Sequence, residues 1–274
     1  MSIYDEPKVD CHHHVFDPAR FPYAADAAYR PAGQEIGTAA QLLAVFDAYG
    51  VRHGLVVGPN SGYGEDNRCL LDVLDLGGGR LKGAAVVHND VSREELKRLR
   101  QAGVLGITFN AAALGLDYYD DTAALLGMLA DLGMFVDVQV EADQMVALAP
   151  MLLRSEVQVL VDHCGRPRPE AGLGQPGFQT LLRLGRTGRV AVKLSGMIKF
   201  SNQAYPFRDT WPFVAALVDG FGYDALLWGS DWPFLRSPVR VDYGPLLLLA
   251  ELLAPDPGDR RKLMWETPRR LFGF

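Results

Sequence analysis

At 274 residues the chain fits one large domain or two small ones, and it can bury enough apolar surface to need no disulfide or metal staple. Its 27 Lys and Arg against 33 Asp and Glu leave a formal charge of −6, with no long basic run, which excludes a nucleic-acid partner. Cys11, Cys69 and Cys164 are odd in number, widely spaced and lack a CxxC pairing, so free buried thiols in a reducing cytoplasm are expected.

The N-terminal stretch MSIYDEPKVD is polar and has no signal-peptide pattern. From there, short β-rich runs recur: VDCHHH, HGLVVG, LKGAAVV, VLGITFN, FVDVQV, VQVLVDH, VAVKLSG and LLWGSDW. Helical patterns separate them, such as TAAQLLAVFDAYG, REELKRLRQAG, TAALLGMLADLG and TLLRLGRTG, several with the glycine that follows a helix C-terminus. Alternation of this kind gives parallel strands joined by crossovers. Eight strands predict an α/β fold closed into a single (β/α)8 barrel domain over residues 1–274. A doubly wound sheet fits less well, because no phosphate-binding glycine loop follows an early strand. DLGGGRLKG reads instead as a turn entering the third strand. GPLLLLAELLAP is too short to span a membrane and reads as a buried helix. In RRKLMWETPRRLFGF, Thr267-Pro268 is expected to begin a fresh short helix, packing the chain end onto the barrel wall.

Side-chain alternation then sorts the strands, since neighbouring residues face opposite sides. It places Asp10, His12 and His14 on one side of the first strand, with Cys11 and His13 on the other. Asp137, Gln139 and Glu141 face inward while Val136, Val138 and Val140 face the helices. Lys193 and Ser195 share a side. His163 ends the sixth strand with Asp162 facing outward, and Asp231 ends the eighth. His12, His14, His163 and Asp231 therefore meet at the C-terminal mouth of the barrel, where such folds keep their active sites. His13 is expected to pack structurally, as is His53 at the opposite rim, and His88 ends the third strand near the pocket.

These residues belong to motifs that run the length of the chain: DxHxHVFDP, FPYAADAAYRP, the GEDN loop, VDHCGRP, VKLSG, WGSDWPF and the closing RRLFGF. The set resembles the amidohydrolase superfamily, in the branch of lactone hydrolases that includes pyrone dicarboxylate and sugar-acid lactonases. The resemblance implies lactone hydrolysis without a required cofactor. The fourth strand offers Thr108 and Asn110 where many superfamily members carry a bridging metal ligand, and the fifth offers Gln139 in place of a histidine. A single divalent ion such as zinc remains chemically accessible to His12, His14, His163 and Asp231. GITFN also places Thr108 where the pyrone dicarboxylate enzyme resembles GxRFN, which favours a neutral or singly charged lactone over a dicarboxylate.

Opening a lactone requires a nucleophile made from water and a stabilised oxyanion. Asp231 suits the general base and later acid, and His12, His14 and His163 suit polarisation of the carbonyl. Arg166, in the turn beyond His163, is a candidate fork for a substrate carboxylate. Tyr29, Asn60 and Arg236 lie on segments near the same mouth and are further substrate-binding candidates. The competing readings are a metal-dependent decarboxylase or lactone isomerase of the same superfamily, and a barrel that only binds a small metabolite. No membrane partner is expected.

Overall fold

In the computed structural model, which describes residues 2–274, each apolar run forms a strand. These are β1 (Lys8–His13), β2 (Val51–Val57), β3 (Leu81–Ala85), β4 (Val104–Asn110), β5 (Phe135–Gln139), β6 (Gln158–Val161), β7 (Val190–Leu194) and β8 (Leu226–Trp228). They pair in parallel and in sequence order within one sheet. The seam between β8 and β1 is drawn together at its C-terminal end. There the Asp231 N–H donates to the His12 carbonyl at 2.7 Å and the His14 N–H to the Trp232 carbonyl at 2.8 Å. The result is a (β/α)8 barrel, and the bonds that complete it also hold three of the four candidate site residues.

Local chemistry starts the helices. Thr38 and Gln41 form a reciprocal capping box on the helix Ala39–Ala48, and the Ser92 side chain accepts from the Glu95 N–H at the start of Arg93–Gln101. The helices bury their apolar faces against an outer shell of strand residues that includes Val56, Phe109, Val136, Val138, Val159, Val161 and Val192. GPLLLLAELLAP forms the helix Tyr243–Leu253, and no helix among the described residues is long and apolar enough to cross a membrane.

A second apolar cluster fills the barrel interior. Val9, Cys11, Leu55, Ala84, Phe135, Leu160, Ala191 and Leu227 contribute, and Phe272 closes the cluster from below with Trp265 and Phe274 packed beside it. The chain end thus plugs the N-terminal opening of the barrel rather than lying on its wall. It arrives there without a break. Thr267 has helical dihedrals and caps nothing, and its hydroxyl donates to the Tyr223 carbonyl. The turn Lys262–Glu266 widens to π geometry just before Pro268, one way to accommodate a proline that lacks its N–H.

Two further expectations change. Cys11 lies inside the barrel, and Asp10 lies outside it, against Ser230 and Tyr243. Between the pairs Asp10–Gly54 and His13–Val56, β1 spends one residue more than β2. This bulge resets the alternation, so that Cys11 and His12 both reach inward and His13 still faces out. Asp162 is the other change. Leu160 is interior and Val159 and Val161 are exterior, which turns Asp162 into the barrel. The three cysteines are free and buried, as expected.

Candidate active site

Four side chains converge above the interior cluster. His12 Nε2 and His14 Nε2 each lie 3.7 Å from Asp231 Oδ1, and His163 Nε2 lies 4.0 Å from the same oxygen. His12, His163 and Asp231 are buried and His14 is partly buried, so charges here interact with little solvent screening. His163 and Asp231 follow their strands with φ of 51° and 60°. Such left-handed backbone is uncommon outside glycine and clusters at functional sites. It, rather than strand alternation, turns His163 into the mouth. Gly196 leaves room for that ring, because a Cβ there would collide with the imidazole.

The nitrogens facing away from the centre decide what the near ones can do. His14 Nδ1 is 2.8 Å from the Val57 carbonyl, an acceptor only, so His14 carries its hydrogen there. His12 Nδ1 is 3.0 Å from Asp162 Oδ1 and donates to that carboxylate. Both rings consequently present bare Nε2 lone pairs to Asp231, and His12 Nε2 is buried without a hydrogen-bond partner. Two lone pairs aimed at a carboxylate oxygen repel unless a cation stands between them. The set His12, His14 and Asp231 therefore fits a divalent ion of the zinc type. His163 differs: its Nδ1 meets the Ser195 hydroxyl at 2.9 Å, and a hydroxyl can accept or donate, so His163 Nε2 remains able to donate.

The electrostatics favour neutral His12 and His163 rings beside an ionised carboxylate. Burial pushes the His163 imidazole down to about 3, with His12 adding to the effect. Burial also lowers His12, and the opposing Asp162 charge does not reverse it. For Asp231, burial favours the neutral acid, but the Lys199 ammonium at 3.2 Å, the strongest opposing charge, holds the carboxyl below its usual range. Asp162 is likewise held low, with His12 and Lys193 overcoming its burial.

A depressed histidine makes the fold acid-labile. Between its ordinary value of 6.5 and its folded value of about 3, the unfolded chain binds the proton and the native one does not, so stability falls as pH falls. Chelator-treated protein is expected to lose about 2 kcal/mol from His163 alone between pH 7 and pH 5 in urea titrations. Constant stability across that interval would contradict the neutral assignment of His163.

The remaining candidates are placed as follows. Arg166 pairs with Glu141 at 3.3 Å and, with Lys199, Arg168 and Asn202, lines a cavity of about 240 Å³. Tyr29 donates its hydroxyl to Glu35, which also accepts the Arg236 N–H at 2.6 Å, while the Arg236 guanidinium lies 4.1 Å over the Tyr29 ring. These two thus tie the loop after β1 to the loop after β8 and are already engaged with each other. Asn60 keeps a buried Oδ1 without a partner, as does Thr108 with its hydroxyl. His53 stacks on Phe274 at 4.5 Å at the lower rim, and His88 is exposed beside Asp90.

His13 packs its ring against Phe46 at 5.1 Å and lies 3.7 Å from Asp10, turned away from the mouth. His13→Ala should lower stability by about 1–3 kcal/mol and leave turnover close to wild type. Equilibrium denaturation and kcat measured on the same preparation separate the two effects. Alternation missed Asp162, which orients His12, and Lys199, which reaches Asp231 from the loop beyond β7. The KLSG run offers no strand-periodic signal for the latter, because Lys199 ends the short 3-10 helix Met197–Lys199 beyond the strand.

A family model described as Amidohydrolase matches residues 9–274. The chain is 32% identical over 274 residues to a 4-sulfomuconolactone hydrolase of Rhizobium radiobacter, covering 96% of this chain and 89% of that protein. It is 31% identical over 277 residues to a 2-pyrone-4,6-dicarboxylate hydrolase of Comamonas testosteroni, with 96% and 89% covered. Among solved structures, a probable 2-pyrone-4,6-dicarboxylic acid hydrolase of Acinetobacter baumannii, with citric acid bound, superposes with a TM-score of 0.90 at 26% identity, covering 97% of this chain and 99% of that one.

Proposed function

The chain belongs to the amidohydrolase family, and from that premise we propose that it is a hydrolase opening a small-molecule lactone by attack of water on the ring carbonyl. The observation that carries this reading is the convergence of His12, His14 and His163 on one oxygen of an ionised carboxylate at the barrel mouth. The lactone-hydrolysing relatives, matched over 96% of the chain, supply the substrate class.

In this mechanism Asp231 takes a proton from water as the water oxygen bonds to the carbonyl carbon. Collapse of the tetrahedral intermediate breaks the bond between the acyl carbon and the ring oxygen, and Asp231 returns the proton to that oxygen. A carboxyl held below its usual range is a weaker base but gives up its proton more readily in this second step. Lys199 keeps Asp231 ionised between turnovers. His163 Nε2 donates to the oxyanion, with Ser195 donating to Nδ1 behind it. His12 and His14 have committed their hydrogens to Asp162 and Val57, so as neutral rings they cannot share this donor role. With Asp231 they would hold a divalent ion, which when bound would polarise the carbonyl as a Lewis acid. Thr108, where the resemblance implies an arginine in the pyrone dicarboxylate enzyme, gives β4 no charge at this position, which favours a neutral or singly charged lactone.

The test is a pH-indicator assay of the purified protein against pyrone, muconate-derived and sugar lactones, measured with zinc, with manganese and with chelator. Acid release above the spontaneous rate on at least one lactone is expected. No release from any of them under any of the three conditions would remove the assignment.

A further inference from the structure

Beneath His12 the barrel holds a charged group that the proposed reaction does not touch. Lys193 is on the interior face of β7, between Ala191 below and Ser195 above, and is fully buried. Its ammonium lies 2.5 Å from Asp137 Oδ2 on β5 and 2.9 Å from Asp162 Oδ1 at the end of β6. Burying three ionisable groups is a poor way to stabilise a barrel, since apolar residues of similar volume often do as well or better. The arrangement is therefore informative about the site above it.

We propose that Lys193 is a positioning residue, which pins Asp162 against His12 Nδ1 and thereby commits His12 Nε2 to face the reaction centre as a bare, cation-binding nitrogen. One oxygen carries the argument. Asp162 Oδ1 receives Lys193 Nζ at 2.9 Å and His12 Nδ1 at 3.0 Å. A lysine ammonium can only donate, so it keeps that oxygen an acceptor, and the hydrogen between Asp162 and His12 stays on the imidazole. Lys193 Nζ is also 3.3 Å from His12 Nδ1, but its hydrogens have the two closer carboxylate acceptors. Asp137 anchors the ammonium from the far side of the barrel and stops it swinging toward the imidazole. Without Lys193, Asp162 would be free to rotate and His12 to place its hydrogen on Nε2, where it would block a cation.

This inference rests on the reading of His12 as a site residue, but its test uses no lactone, so its failure and failure of the lactone assignment are separable. The probe is zinc, titrated against a competing chelator, together with long-range proton–nitrogen NMR of the histidine rings. In the metal-free wild type, His12 should appear as the Nδ1–H tautomer at neutral pH. Lys193→Met, which keeps the length and removes the charge, should bind zinc about 10–100-fold more weakly, the usual range for losing a group behind a ligand. Its His12 signals should shift toward a mixture of tautomers. Lys193→Gln carries the same readouts if the methionine variant does not fold. A folded variant with zinc affinity within about twofold of wild type and an unchanged His12 tautomer would show that Lys193 only fills the barrel. An Nε2–H tautomer in the wild type would overturn the proposal without any variant.

Discussion

Asp231→Asn is expected to fold as the wild type does and to lose about 10²–10⁴ in turnover, the range for removing a positioned acid/base. The fold should survive because asparagine has the same shape and tolerates the left-handed backbone at this position, where φ is 60°. The backbone bond from residue 231 to the His12 carbonyl is also unaffected by the change. What disappears is, among the described residues, the only carboxylate within 4.0 Å of the near nitrogens of all three histidines. Because substrate would still bind, the loss should fall on kcat more than on KM. A folded Asp231→Asn protein with near-normal kcat would assign the base elsewhere.

Removal of metal is the second large effect. Protein stripped with chelator and verified metal-free should lose most of its lactone turnover, by about 10² or more, since Lewis-acid polarisation contributes several kcal/mol of transition-state stabilisation. Activity should return with about one equivalent of zinc or manganese rather than two. The single equivalent follows from the interior, where the Lys193 ammonium already sits among Asp137, Asp162 and His12 as a fixed cation. Full turnover in verified metal-free protein would instead mean hydrolysis without a required metal, as the sequence resemblance implied, and would leave carbonyl polarisation to the protein's own donors such as His163.

Much of this was legible in the sequence, and the remainder fails for identifiable reasons. The eight strands were readable because each is a short β-branched or apolar run closed by turn chemistry. Alternation and strand ends together brought His12, His14, His163 and Asp231 to one mouth. Cys11 was misplaced because a bulge adds a residue that strict alternation cannot anticipate. Asp162 was misplaced because His163 reaches the mouth through a left-handed turn, so the two are not related by alternation at all. The role of His12 and His14 depends on which ring nitrogen faces Val57 or Asp162. Those contacts join β1 to β2 and β6, residues 43 and 150 positions away, and no local pattern encodes them. Tyr29 and Arg236, expected near the mouth as substrate contacts, are occupied by Glu35 and by their mutual stacking, a pairing across about 200 residues that only the fold reveals.

The most direct test of lactone opening by water at the ring carbonyl is isotopic. The best lactone from the screen is converted to completion in ¹⁸O-water and its product examined by mass spectrometry. Attack at the carbonyl with acyl–oxygen cleavage puts one heavy oxygen in the new carboxylate and none in the released hydroxyl, with no loss of carbon. Heavy oxygen in the hydroxyl, or release of carbon dioxide in step with turnover, would contradict the mechanism, and the second result would make the protein a decarboxylase.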